Sequence, residues 1–319
     1  MDESYKLDER QHERIYKRIE RAAFAGTSKT DNPRVVITGG QPGSGKSKLL
    51  EQSRESFPDR NVVVINGDDL RNYHLKRREI LRADDKRFAE RTDPDSRKWT
   101  KRLFDRAIES HRNIVFESTM REAGPISDTM KRLREEGYSL TAKIVATNEK
   151  VSKTSIYRRY EEQKASKGFG RWTDEASHDA GYKGMPETVD YIEQNKLVDR
   201  LEVYNRQGDL IWSNDLKGGE WEKAPEARQI IEAERGREPT ARELKELRAD
   251  WQRIDDLMQA RKAPLREMEK AKTTRASIER GYKGRENPKP PPKLNDFLKM
   301  KPKPKPKEKE RGRDDDLTR

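Results

Sequence analysis

Apolar residues along this chain come in short runs separated by long charged stretches. Val35, Val36 and Ile37 within Arg34 to Thr38 form the first run, and Asn61 to Asn66, Asn113 to Glu117, Leu140 to Ala146 and Leu201 to Asn205 repeat it. Short runs rich in β-branched side chains predict strands. The helix-length segments between them predict a mostly parallel sheet, because a parallel neighbour needs a crossover long enough to hold a helix. Val62 to Ile65 is apolar on both side-chain rows, which suits a strand covered by helices on both faces. Ahead of the first strand, Leu7 to Phe24 reads as a charged helix. Its thin stripe of Ile15, Ile19 and Ala22 or Ala23 is expected to pack only weakly on the rest of the chain. Ala25 to Pro33 is a turn-rich link.

After Ile211 and Trp212 the pattern changes. Thr240 and Glu243 make a capping box, and Leu244, Leu247, Trp251, Ile254 and Met258 come after it at helical spacing, predicting one amphipathic helix docked on the domain or on a partner. Beyond Gly284 come KPPP and KPKPKPKEKE, where proline removes backbone donors and lysines repel one another, so a disordered or polyproline-like tail is expected. The expected organisation is an N-terminal helix and linker over 1–33, an α/β domain over 34–215, a helical extension over 216–283 and a tail over 284–319.

Composition narrows the choice of partners. Hydrophobic residues make up 30% of the chain and charged ones 41%, so the core has to be concentrated in part of it. A net charge of +12 favours polyanionic partners such as nucleotides, nucleic acid or an acidic protein, without choosing among them. With no cysteine and four scattered histidines, a disulfide framework and a thiolate or zinc site are not expected, and a reducing cytoplasm is the expected compartment. No signal-peptide core opens the sequence and no stretch is long enough to span a bilayer, so no transmembrane segment is expected.

The chemistry begins at Gly40, Gln41, Pro42, Gly43, Ser44, Gly45, Lys46 and Ser47, which match G-x-x-x-x-G-K-[ST] between a predicted strand and a predicted helix. Glycines let backbone amides wrap a phosphate, the helix start adds its positive end, Lys46 reaches the β- and γ-phosphates and Ser47 can ligate magnesium. ATP and Mg2+ are the cofactors this loop predicts. It does not by itself say what happens to the γ-phosphate. At the second strand end stand Asp68 and Asp69, with Arg71 and His74 after them. Either aspartate can orient an acceptor hydroxyl and take its proton, or cap the next helix. The third strand end supplies Glu117, Thr119 and Arg121. Glu117 suits magnesium through water or the acceptor, and the other two suit acceptor contacts; a merely exposed polar loop is the alternative. Farther along, Arg159 and Arg171 are candidates for steadying a transferring phosphoryl group.

These segments together resemble the zeta toxin family, the kinase halves of bacterial toxin–antitoxin pairs. The likeness takes in GGQPGSGK, VVVINGDDLR with His74 after it, IVFESTMR, RRYE, GRWT with His178 and Asp179 beyond it, and YNRQG at Tyr204 to Gly208. It runs from about Leu7 to Trp212, with a looser match beyond. The resemblance implies phosphorylation of UDP-N-acetylglucosamine on its 3′-hydroxyl, with Lys46 and Ser47 serving ATP and magnesium and Asp68, rather than Asp69, as general base. It implies further that Glu117, Thr119 and Arg121 line the acceptor site, that Arg159 and Arg171 clamp phosphates, and that a separate small helical antitoxin blocks the ATP site. Two positions depart from the family pattern. Leu75 stands after His74 where proline is usual, and Lys101 stands where a substrate-side glutamate is expected. Two alternatives stay open: a kinase acting on another hydroxyl, or an ATP-gated protein whose basic tail holds nucleic acid or membrane. The tail's few aromatics argue against a stable single-strand complex.

Overall fold

The apolar runs become parallel strands because each buries both rows of side chains under helices. In the computed structural model, which describes residues 5–282, β1 (Arg34–Gly39), β2 (Val63–Ile65), β3 (Ile114–Glu117), β4 (Ser139–Val145) and β5 (Arg200–Tyr204) are parallel in the order β2-β3-β1-β4-β5. Two further strands, which the apolar pattern does not predict, extend the sheet: β6 (Leu210–Lys217), antiparallel to β5, and β7 (Glu220–Trp221), antiparallel to β6. The expected α/β architecture forms, with a mostly parallel sheet between helices. Among the described residues no helix is long and apolar enough to cross a membrane.

Register fixes which residues meet at the carboxyl edge. Thr38 is level with Glu117, and Ile65 with Phe116. The segments leaving β1, β2 and β3 therefore emerge side by side, on the edge where open α/β sheets bind ligands. Beneath them Ile37, Ile65, Trp99, Leu103 and Ile114 form the centre of the main core.

The N-terminal helix α1 (Glu9–Phe24) begins at a capping box made by Asp8 and Gln11. Weak packing was the expectation, and the structure corrects it. Ile15 and Ile19 are each 1% exposed and belong to the main core, and Tyr16 donates to the carbonyl of Arg102 at 3.1 Å. The stripe is thin only by apolar count, since the ring of Tyr16 and the buried His12 widen it.

Helices and helical turns fill the connections: α2 (Lys46–Glu55), α3 (Gly67–Leu70), α4 (Arg77–Asp84), α5 (Phe88–Glu109), α6 (Ala123–Glu135), α7 (Glu149–Lys167), α8 (Glu175–Gln194), α9 (Ala227–Gly236), α10 (Ala241–Ala260) and α11 (Leu265–Arg280). One amphipathic helix was expected after the sheet, where α9, α10 and α11 are present. Ala227, Ile230 and Ile231 of α9 join the main core. The predicted helix is α10, whose Leu244, Leu247, Trp251, Ile254 and Met258 form a second core with Tyr157 of α7. The Tyr157 and Trp251 rings lie 5.5 Å apart, and Arg261 grips the buried Glu161 at 2.7 and 2.9 Å. The proline- and lysine-rich tail expected over 284–319 lies outside the described residues.

Ile19→Ala is expected to lower the unfolding free energy by about 2–5 kcal/mol, read from urea denaturation. A loss below about 0.5 kcal/mol, the range of surface substitutions, would show that α1 is not part of the core.

Candidate active site

Residues Gly40 to Ser47 curl from β1 into the first turn of α2, and the curl is held from inside by one ammonium. Lys46 Nζ donates to the carbonyls of Gly40 at 2.6 Å and Gln41 at 3.2 Å, and lies 3.8 Å from Glu117 Oε1. Gly45 caps α2 with φ 103°, a backbone state that disfavours side chains. Gly43 presses on α7 so closely that a Cβ there would lie 2.2 Å from the carbonyl oxygen of Ser152. Burial pushes the Lys46 ammonium down to about 8 from 10.5, with Glu117 opposing and Arg171 and Arg159 adding to the fall. The Ser44 hydroxyl and Arg159 Nε are buried without a hydrogen-bond partner among the described residues. Unused buried donors beside an ammonium suit a polyphosphate, which supplies the missing acceptors.

Of the two aspartates, it is Asp68 that the site engages. The capping alternative goes to neither, because Asn66 is the N-cap of α3 and accepts from the Asp68 amide at 3.0 Å. Asp68 Oδ1 accepts from Arg71 Nε at 3.1 Å, while Oδ2 accepts from Arg171. Asp69 is exposed at the rim. Asn66 also donates to Glu117 Oε2 at 2.8 Å, so the second and third strand ends are tied together.

A cleft of ≈ 1100 Å³ runs over this edge and takes in Gly43 to Ser47, Asp68, Glu117, Arg159 and Arg171. A second cavity of ≈ 720 Å³ adjoins it. Asp68, Glu117, Thr119 and Arg121 line both. Every residue expected at the site except Gly40 and Gln41 thus lines one cleft, and these two contribute their carbonyls to Lys46. The Gln41 side chain turns away from the cleft, donating to the Thr147 carbonyl at 2.7 Å. Arg159, whose guanidinium burial pushes down and Glu117 draws up, donates to Thr173 at 3.1 Å. Its neighbour Arg158 also lines the cleft and bonds Asp250 of α10 at 3.0 Å.

The remaining motif residues sit around this cleft. His74 is buried beside Asp95 at 3.3 Å and does not line the cleft. Lys101 is 77% exposed, paired with Asp105 at 2.7 Å on the rim of the second cavity. His178 bonds Ser152 at 2.8 Å behind the phosphate loop. Sequence reasoning assigned nothing to Arg71, which Asp93 holds against Asp68 at 2.7 Å. It likewise passed over Arg206, which donates to the carbonyl of Gly43 at 2.9 Å and to Ser155 at 2.6 Å. The YNRQG motif carried the signal for Arg206, and the spacing of three from Asp68 carried it for Arg71.

The fold and this edge define a P-loop α/β protein with a second cavity opening beside its phosphate loop. The zeta toxin family model matches residues 18–217, and the chain belongs to that family. It is 27% identical over 190 residues to Toxin zeta of Enterococcus hirae, covering 59% of this chain and 66% of that protein, just under two thirds of its length. Toxin PezT of Streptococcus pneumoniae is 24% identical over 195 residues, 61% of this chain and 77% of that one. A solved structure of the PezAT chromosomal toxin–antitoxin system of the same species superposes with a TM-score of 0.68 at 20% identity, covering 80% of this chain and 98% of that chain. That likeness establishes the shared fold.

The lowered Lys46 value has a signed consequence. Between about pH 8 and 10.5 the unfolded chain holds a proton on this lysine that the folded chain has lost, so this group adds stability as pH rises through that window. The rise in unfolding free energy from pH 8 to 10.5 is expected to be smaller in Lys46→Met than in the parent chain by up to roughly 3 kcal/mol. Parallel pH profiles would show that Lys46 titrates as it does in water.

Proposed function

We propose that this chain is the toxin of a toxin–antitoxin pair, a cytoplasmic kinase that transfers the γ-phosphoryl of ATP to the 3′-hydroxyl of UDP-N-acetylglucosamine and so impairs cell-wall precursor synthesis. The observation that carries this reading is the sharing of Asp68 and Glu117 between the phosphate cleft and the adjoining cavity. Phosphoryl transfer needs a donor cradle on one side of a carboxylate and an acceptor hydroxyl on the other. Family membership supports the same reaction class.

In this reading Lys46 holds the β- and γ-phosphates, and the loop amides from Gly43 to Ser47 surround them. ATP supplies the phosphoryl group, and magnesium screens its charge. The exposed hydroxyl of Ser47 would hold Mg2+ directly, and Glu117, already engaged by Asn66 and near Lys46, would hold it through water. An ion held this way takes most of its ligands from phosphates and water. Arg159 and Arg171 steady charge on the transferring group. A carboxylate that accepts from two guanidinium groups is a weak base. Asp68 therefore becomes the general base when Arg171 moves to the phosphoryl oxygens, which frees Oδ2 to take the acceptor proton. Thr119 and Arg121, with Glu117, contact the acceptor in the second cavity. A separate antitoxin chain would hold the enzyme inactive by covering the phosphate cleft.

One observation favours a second reading with another acceptor. Lys101 stands at the rim of the acceptor cavity, where the family pattern has a glutamate, and a reversed charge at that position favours a more anionic substrate.

Purified protein incubated with ATP, magnesium and a panel of UDP-sugars, nucleotides and aminoglycosides is expected to give a phosphorylated UDP-N-acetylglucosamine by mass. Labelling of a different acceptor alone would establish the second reading. Asp68→Ala is expected to lower turnover by about 10²–10⁴-fold while retaining ATP binding, and Lys46→Ala to lose detectable transfer. Unchanged turnover in Asp68→Ala would remove the mechanism.

A further inference from the structure

The phosphate loop is gripped from behind by the helices that come after the sheet. Arg235, near the end of α9, is 4% exposed. Its Nη2 donates to Gln41 Oε1 at 2.8 Å, its Nη1 donates to the carbonyl of Tyr182 at 2.7 Å, and its guanidinium lies 4.2 Å from the centre of the Tyr182 ring. All these partners are neutral, and Nε has no hydrogen-bond partner among the described residues. The contact is locked from both ends. The Arg235 carbonyl accepts from Asn148, which caps α7, at 2.7 Å. The amide of Gln41 has both of its ends in use: Nε2 reaches the Thr147 carbonyl at 2.7 Å and Ser152 Oγ at 3.3 Å.

The same residue's backbone belongs to the cradle. The Gln41 carbonyl accepts from Lys46 Nζ at 3.2 Å and from the Ser44 amide at 3.2 Å. A chain of direct bonds therefore runs from α9 through one side chain to the carbonyl cage around Lys46. A buried guanidinium with no carboxylate hydrogen-bonded to it is unfavourable, and burial pushes this one down to about 10, with Tyr182 and Glu232 opposing. An anion bound on the opposite face of the loop would relieve it.

We propose that Arg235 is a positioning residue of the phosphate loop, setting Gln41, and through it the Lys46 cage, and placing a buried positive charge behind the bound polyphosphate. The inference rests on the reading that this loop binds a nucleoside triphosphate. It makes the segment beyond the sheet a working part of the nucleotide site.

The test is the affinity of the full chain for ATP and for inorganic tripolyphosphate, each with magnesium, by titration calorimetry. Arg235→Met is expected to weaken both ligands by about tenfold or more, the scale of a lost hydrogen bond to a charged group. Both should fall together, because the effect acts on the loop and not on the base. Gln41→Ala is expected to weaken both as well. The double variant is expected to be no weaker than the weaker single one, since both changes cut one chain of contacts. A general loss of packing would not give that coupling. Wild-type affinities in a folded Arg235→Met protein, or additive losses in the double variant, would overturn the proposal. If Arg235→Met does not fold, Arg235→Lys decides. It keeps the charge but not the two-pronged donor, and is expected to lose at least about threefold in affinity; no loss would overturn the proposal. Parent protein that binds neither ligand would instead remove the underlying reading of the loop.

Discussion

The burial of a single ammonium organises this edge of the molecule. Lys46 sits in the first turn of α2 with two loop carbonyls as its nearest neighbours and a carboxylate at 3.8 Å. Those contacts only partly replace the water it has lost, which is why its charge is held so weakly. Much of the surrounding geometry serves to keep that cage closed. Gly43 has no side chain because α7 presses on it, Thr147 bonds the Ser44 carbonyl at 2.8 Å, and Arg206 bonds the carbonyl of Gly43 from the far side. A site that is short of negative charge is ready for a ligand that brings it.

Strand register turns this cradle into a two-sided site. Because β1 lies between β3 and β4, with β2 beyond β3, the residues just past β2 and β3 come up beside the loop. Asn66 then stitches them together through Glu117. The cations divide by direction. Arg159 and Arg171 face the cleft, Arg71 is pinned between Asp68 and Asp93, and Arg158, also on the cleft wall, reaches across to Asp250 of α10.

Much of this was legible in the chain, for identifiable reasons. The parallel strands announced themselves because burial on both faces demands unbroken apolar runs, and the phosphate loop did so because its glycines and lysine are needed in a fixed order. Strand β6 was passed over because Leu210 to Lys217 mixes Trp212 with Ser213, Asn214 and Asp215. Its buried Asn214 is satisfied by the backbone of Lys223, a partner that sequence alone does not reveal. Helix α11 buries only Ala271 and Ile278 along its length, too few to stand out as a stripe. Arg235 was illegible for another reason. It is one of 71 basic residues, and its partner Gln41 lies 194 positions away. The N-terminal helix was under-read because a histidine and a tyrosine count as polar by type, while here they are buried.

The pairing of Asp68 with both Arg71 and Arg171 bears on what the resting molecule leaves undone. Each oxygen of that carboxylate already accepts from a guanidinium, so neither is unengaged before a ligand arrives. Anything that drew Arg171 elsewhere would strip the cation from Oδ2 while leaving Arg71 on Oδ1, so the two oxygens of one carboxylate would part in character.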